Sequence, residues 1–360
     1  MNAYATKLAE KFSQKVIPIY FQRSVAEMIT NQEYEGEIKD TSSILNILTL
    51  GAIGQHDYTG ADMTADDIFE SNAQLITDQQ KYSYFKIKSL DKFKSMLNNP
   101  ESSLFSTVAD GLKKVIDQYI LGLYTKVAAG NRIGTDYVTG TVDITTGTGA
   151  VVGTGTTFTA AMVGRGFKAV GHTKWYRVKT FTDTTHIVIE NDSDDLASAY
   201  DGGTISGAAY VIEAVTAVQV TKSTIYAYLV SLKTKLDQNE IPENDRFAVL
   251  PAEICNLFLQ APELTPAVPT AYETVIQNGR VGTIAGFTVY SCERVTGNTA
   301  SGWHCLAGHK SAITMATGFV ETGIEDAIKN FGKLYKGLTV YGAKVVDERR
   351  KALTEGYFKL

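Results

Sequence analysis

From Pro100 to Ala129 the chain carries its longest unbroken helical pattern, and the rest of the sequence can be placed relative to it. Leu104, Phe105, Val108, Leu112, Val115, Ile116, Tyr119, Ile120, Leu123, Tyr124 and Val127 fall on one stripe of a 3.6-residue period. Asn99 is a good N-cap, Pro100 suits the first helical position, and Gly130-Asn131 can turn left-handed at the end. At about 1.5 Å per residue such a helix is roughly 45 Å long, more than a compact domain needs to cross its core. A spine joining parts of an elongated molecule is the expectation.

The flanks differ in character. Residues 1–40 form a polar arm with few apolar anchors: Leu8, Phe12 and Val16 share a face, Pro18 interrupts, and a short helix runs through Val25, Met28 and Ile29. Residues 41–92 read as an extended loop, with one strand through Ile44–Leu50 and a second through 81–88, where Phe85 and Ile87 alternate with Lys86 and Lys88. Two such strands lack a core of their own, so they must pack on the spine or on another subunit. Between residues 136 and 213 short apolar runs are punctuated by Gly147, Gly149, Gly153, Gly155, Gly171, Gly202 and Gly203, the pattern of a small β-sandwich or barrel. A helix over 222–238, a buried strand Arg246–Leu250 and a helix from Pro251 to about Gln260 follow, then Pro262, Pro266 and Pro269 force a loop. Strands are expected at 283–289, 304–307 and 339–346.

Composition excludes several classes. The 360 residues are 44% hydrophobic and 20% charged with net charge −5, which fits a protein of two or three domains and no strongly basic nucleic-acid surface. Lys113, Lys114 and Lys126 on the spine read as a solvated face. No apolar run is long enough for a membrane span, and residues 1–14 lack a secretion signal's apolar core. Cys255, Cys292 and Cys305 are too few for a disulfide framework, which favours a reducing compartment.

The order of these parts resembles a known family. Asn31 to Lys39 (NQEYEGEIK), Asp78 to Asp91 (DQQKYSYFKIKSLD) and the helix after them resemble the N-arm, extended loop and spine of tailed-phage major capsid proteins of the Hong Kong 97 type. Glu273 to Tyr290, Ala307 to Ala316 and Lys336 to Val346 are similar to the same family's C-terminal stretches. The resemblance implies an α+β Hong Kong 97-type capsid fold: arm 1–40, extended β-hairpin loop 41–92, spine helix of the peripheral domain 93–135, axial domain 214–282, and peripheral return 283–360. Residues 136–213 lie outside it and read as an inserted all-β domain, Ig-like or a small barrel; Gly153 to Val163 with Trp175–Val178 resembles a β domain that recurs in phage virion proteins.

For function, the resemblance implies a structural protein and no enzyme, assembling as hexamers and pentamers into an icosahedral shell around double-stranded DNA. Implied partners are further copies of the chain, a separate scaffolding protein, portal and decoration proteins, and packaged DNA without sequence preference. The scaffold is expected to be separate because relatives that carry their own have a long extension ahead of the arm. The implied location is the virion capsid, after assembly in the host cytoplasm, with no membrane partner and no cofactor. Inter-subunit contacts are expected at Phe12, Tyr34, Lys81, Tyr84, Lys86 and Lys88. Some relatives join the loop to a neighbour through a Lys–Asn isopeptide bond; here the lysines are read as charging an exposed strand against wrong edge pairing.

Gly147-Thr148-Gly149 and Gly153-Thr154-Gly155 lack the strand-to-helix context and lysine of phosphate loops, so they read as turns. Asp192, Asp194 and Asp195 lack the Gly and Glu of a Ca²⁺ loop and read as a solvated acidic loop. His304, Cys305, His309 and Cys292 form a poor metal set, since adjacent strand residues face opposite sides. Two rival readings remain: an encapsulin-type compartment shell, and a carbohydrate-binding attachment protein in which Trp175 and Tyr176 stack on sugar.

Overall fold

The computed structural model describes residues 24–31, 33, 44–50, 70–88, 100–193, 199–258, 260–261, 280–326 and 331–360. The expected helix around Phe12, the site residues Phe12 and Tyr34, the proline-rich loop, and Asp194 and Asp195 lie outside them. Among the described residues the chain forms an α+β structure of four sheets and few helices, gathered around two large apolar cores and one small one.

The long helix runs from Pro100 to Leu121 and gives way to a 3₁₀ turn over Gly122–Lys126, so it is shorter than its apolar stripe suggested. Beyond it two arginines hold the backbone: Arg132 donates to the carbonyls of Thr125 and Val127, and Arg350 to those of Lys126 and Val127. Ile120, Leu121 and Val127 are buried in the base core, and Gly130 makes the left-handed turn at φ +91°.

That base core is built on a mixed sheet in the order Val218–Gln219, Leu353–Lys359, Gly302–His309, Arg246–Leu250, Phe287–Ser291, Arg280–Ile284. All five residues of Arg246–Leu250 are buried, and the helix Ile225–Gln238 covers the sheet with Ile225, Leu229, Leu232 and Leu236. The Ala252–Phe258 helix closes the same core. The turn between the last two strands uses Ala285 at φ 49° and Gly286 at φ 82°. A two-residue hairpin turn with both φ positive favours Asn or Gly at its first position. Ala285→Asn should therefore raise the unfolding free energy by about 0.5 kcal/mol, read as a higher denaturant midpoint at unchanged slope.

The loop region differs from the two-strand expectation. Ile44–Leu50 pairs with Glu70–Ile76, from Ile44 opposite Ile76 to Leu50 opposite Glu70. The strand expected to be its partner, Gln79–Lys88, instead joins the edge of a three-stranded sheet beside Gly332–Val345, which pairs with Ile313–Asp326. The physical reason is burial: Phe85 stacks on Tyr335 with centroids 5.3 Å apart, a contact the short hairpin does not provide. The hairpin has a small core after all, since Ile47, Ala73 and Leu75 pack on Ala316 and Val346 at the root of the long strands.

Residues 135–216 form the fourth sheet, eight strands paired antiparallel throughout, with Ile205–Ala208 at one end of the order and Thr135–Tyr137 at the other. Its core, including Val142, Ile144, Val151, Phe167, Val178, Ile187, Ile189 and Ile212, is separate from that of the base. The first strand and the last, Tyr210–Thr216, are neighbours, with Thr135 opposite Thr216, so chain entry and exit lie side by side.

Candidate assembly surfaces and the seam between the cores

Three places combine polar groups in ways a packed core alone does not require. The first is where the arm meets the spine. Asp117 is fully buried, and its Oδ1 accepts bonds from Ser24 Oγ at 2.7 Å and from the amides of Val25 at 3.2 Å and Ala26 at 2.9 Å. Its Oδ2 meets the Arg294 guanidinium. One carboxylate thus caps the single turn Ala26–Ile29 and ties it to the long helix. Asn31 then bridges to Thr314, so the arm leaves the body at a fixed point. Asp117 drew no notice in the sequence because it sits on an otherwise ordinary helical stripe.

The second is the three-stranded sheet. Of the expected contact residues, Lys81, Tyr84 and Lys86 are exposed, Tyr84 lies opposite Lys336, and Lys88 ends the strand opposite Gly332. Tyr82, not singled out from the sequence, is 82% exposed beside Tyr84 at 59%. Phe331, at the far end of the long strands, is 93% exposed. Between this sheet and Val108, Gly111, Leu112 and Val115 of the spine runs a mostly apolar cavity of about 410 Å³.

The third is the seam joining the sheet of residues 135–216 to the base. Glu355, 0% exposed in the last strand, takes Arg165 Nη1 on both oxygens at 2.9 Å and His304 Nδ1 at 2.6 Å. Arg132 Nε lies 3.0 Å from its second oxygen but off the hydrogen-bond direction, so that contact is ionic attraction alone. Arg132 reaches Glu213 at 3.0 Å, and Glu213 also accepts from the amides of Gly130 at 2.7 Å and Gly166 at 3.1 Å. Alongside, Asp192 takes Arg350 and the Ala129 amide, each at 2.6 Å, and Ser193 donates to Asp347. Burial pushes the Glu213 carboxyl up, against the pull of Arg132 and the Gly130 amide. Burial would also raise Glu355, but the His304 bond and the charges of Arg165 and Arg132 outweigh it and hold the carboxyl below the ordinary glutamate range. The His304 ring lies between Tyr124 and Tyr357 at centroid distances of 4.2 and 4.1 Å.

The remaining sequence candidates separate. Asp192 does not belong to a solvated acidic loop: it spans the seam. His304 and His309 are taken by Glu355 and Ser311, and no His, Cys, Asp or Glu group among the described residues is arranged to hold a metal. Gly147, Gly149 and Gly155 have φ between 63° and 77°, turn geometry. The Tyr176 ring is buried beneath His172, Tyr200 and Lys174, and Trp175 abuts Gly130, where an added Cβ would lie 2.6 Å from its Nε1. The Tyr176 ring offers no open face for sugar stacking.

All three cysteines are buried, and burial raises each thiol, Cys255 to about 12. A thiol held protonated and out of solvent is a poor nucleophile. Ellman's reagent should therefore label none of them in the native protein at pH 8 and three per chain in denaturant; a fast native equivalent would contradict this packing.

No family model and no curated protein matches the sequence. Solved structures do, over nearly the whole chain. A structure from Mycobacterium phage Che8 aligns at a TM-score of 0.63 and 15% identity, covering 98% of each chain. The capsid structure of cyanophage P-SCSP1u aligns at 0.58 and 14%, covering 98% of this chain and 93% of that one. The capsid of Ralstonia phage GP4 aligns at 0.57 and 10%, covering 100% and 98%. The chain thus has the α+β fold of phage capsid proteins.

Proposed function

We propose that this protein is a major capsid protein, a structural shell subunit that works by packing against copies of itself. The observation that carries the reading is alignment with phage capsid structures along nearly the full length of both chains, which leaves no large part of either unmatched. In this reading residues 1–40 are the arm, 41–92 the extended loop, 93–135 the spine, 214–282 the axial domain and 283–360 the peripheral return, with 136–213 inserted as a small barrel or Ig-like domain. Hexamers and pentamers close an icosahedral shell around phage DNA, with a separate scaffold, a portal and decoration proteins as partners, after assembly in the host cytoplasm. Neighbour contacts run through Phe12, Tyr34, Lys81, Tyr84, Lys86 and Lys88, to which the exposure of Tyr82 adds a further residue.

The inserted segment carries five basic and nine acidic side chains, a net charge of −4, most of the chain's −5. An acidic unit facing packaged DNA meets phosphate repulsion, whereas outside the shell salt screens it within about 10 Å. It therefore faces outward. Electron microscopy of the purified chain with its scaffold tests the whole reading. Icosahedral shells or capsomer rings with the inserted unit outside are expected. A lasting monomer would overturn the capsid reading, a shell enclosing protein cargo would favour the compartment alternative, and inward density would overturn the charge argument.

A further inference from the structure

The two large cores are apolar and separate, yet the contacts that cross between them are polar, and their ion pairs have one composition. Each joins an arginine to a carboxylate: Arg165 to Glu355, Arg132 to Glu213, and Arg350 to Asp192. Their side chains are nearly all withdrawn from water, with Arg132, Glu213, Glu355 and Arg350 at 3% exposure or less. Removing the negative partner from a buried pair is strongly unfavourable, because the remaining cation is left desolvated without compensation. Removing protons from consideration elsewhere costs nothing here: Val142, Ile144, Val151 and Ile189 on one side, and Leu229, Leu232, Phe247 and Val249 on the other, do not titrate. Among the described residues the base holds one ion pair as deeply buried, Asp117 with Arg294, where the seam gathers three, so acid weakens the seam more than what it joins.

We propose that the seam is an acid-labile joint, which on acidification releases the sheet of residues 135–216 from the base while both cores stay folded. The groups around Glu355 are Arg132, Arg165 and His304, with the rings of Tyr124 and Tyr357 flanking the imidazole and Glu213 held on the other side of Arg132. Asp192 faces Arg350, and Asp347 lies 3.6 Å from the same guanidinium. The two glutamates respond with opposite sign. Glu355, held low, stabilises the closed joint above the ordinary glutamate range, and that stabilisation is lost as pH falls through its folded value. Glu213, raised by burial, binds its proton more readily in the closed joint than in the open one, so its own titration does not drive opening. Loss of the Glu355 charge does, because it leaves Arg132, Arg165 and His304 facing one another. With Glu355 held low, opening belongs below the ordinary glutamate value of about 4.3. The proposal does not depend on the capsid reading.

Hydrogen exchange on the full-length chain at pH 7 and pH 3, corrected for intrinsic exchange rates, tests it. At pH 3 the amides of Ala129, Gly130 and Gly166 are expected to exchange at least about tenfold faster, the change that corresponds to one pK unit of linkage. Strands Tyr176–Asp183 and Arg246–Leu250 keep their protection, and returning to pH 7 closes the joint. Glu355→Gln should open it at pH 7, and the milder Asp192→Asn should move the opening to higher pH. Seam protection that persists at pH 3, seam and cores lost together in one transition, or an Asp192→Asn profile identical to the parent's would each overturn the proposal.

Discussion

Replacing Asp117 by alanine is expected to destabilise the protein by about 3 to 5 kcal/mol, the cost of removing one partner from a buried ion pair. The substitution strips Arg294 of its carboxylate and orphans the Ser24 hydroxyl and the amides of Val25 and Ala26 at once. The loss has a place as well as a size. Asp117 supplies the polar tie of residues 24–31 to the long helix beside the apolar packing of Val25, Ala26 and Ile29, so their amides should lose exchange protection before those of Ile225–Gln238 or Arg246–Leu250 do. If the arm ties neighbouring subunits together, the variant should fold at low temperature yet fail to close shells. Denaturation of the free subunit and electron microscopy of the assembly reaction separate these effects. Wild-type stability together with normal shells would show that Asp117 is no anchor.

Exchanging residues 137–212 for a short Gly/Ser linker should leave a folded base, because entry and exit strands are adjacent and the base core takes no residue from the insertion. Such insertions at neighbouring chain ends are tolerated. The seam nevertheless makes the operation costly. Arg350 loses Asp192, Glu355 loses Arg165, and Gly130 loses the cover of Trp175. About 2 to 4 kcal/mol of the base's stability should go, by the reasoning that an uncompensated buried charge is worse than none. Combining the deletion with Arg350→Met should recover part of it, since methionine fills the space without a charge to pair. Chemical denaturation of the three proteins reads the ordering, parent above double variant above simple deletion. A simple deletion as stable as the parent would mean that the seam only positions the insertion.

What the residues alone determined is what depends on local pattern. Arg246–Leu250 reads as a buried strand from five residues and is one; the stripe from Leu104 to Val127 reads as a helix to Ala129 and is one as far as Leu121. Gly130 takes the positive φ its lack of a side chain permits, and the glycine-punctuated runs between 136 and 213 become short antiparallel strands. The capsid-type fold came from a resemblance carried by Asn31 to Lys39, Asp78 to Asp91 and the C-terminal stretches, while period, caps and turn chemistry, which act over a few residues, mark the single elements.

Only the tertiary structure decided pairings between residues far apart in the chain. Gln79–Lys88 has the alternation of a hairpin partner, but Tyr335, some 250 residues on, supplies the aromatic face that captures it. Beyond the helix end at Leu121, Arg132 and Arg350 hold the carbonyls of Thr125, Lys126 and Val127, contacts that no local propensity reveals. Asp117, Glu213 and Glu355 look in sequence like solvent-facing charges. Their role comes from burial beside arginines tens to hundreds of positions away, and a charge's worth depends on the medium and partner around it, which a one-dimensional spacing does not specify.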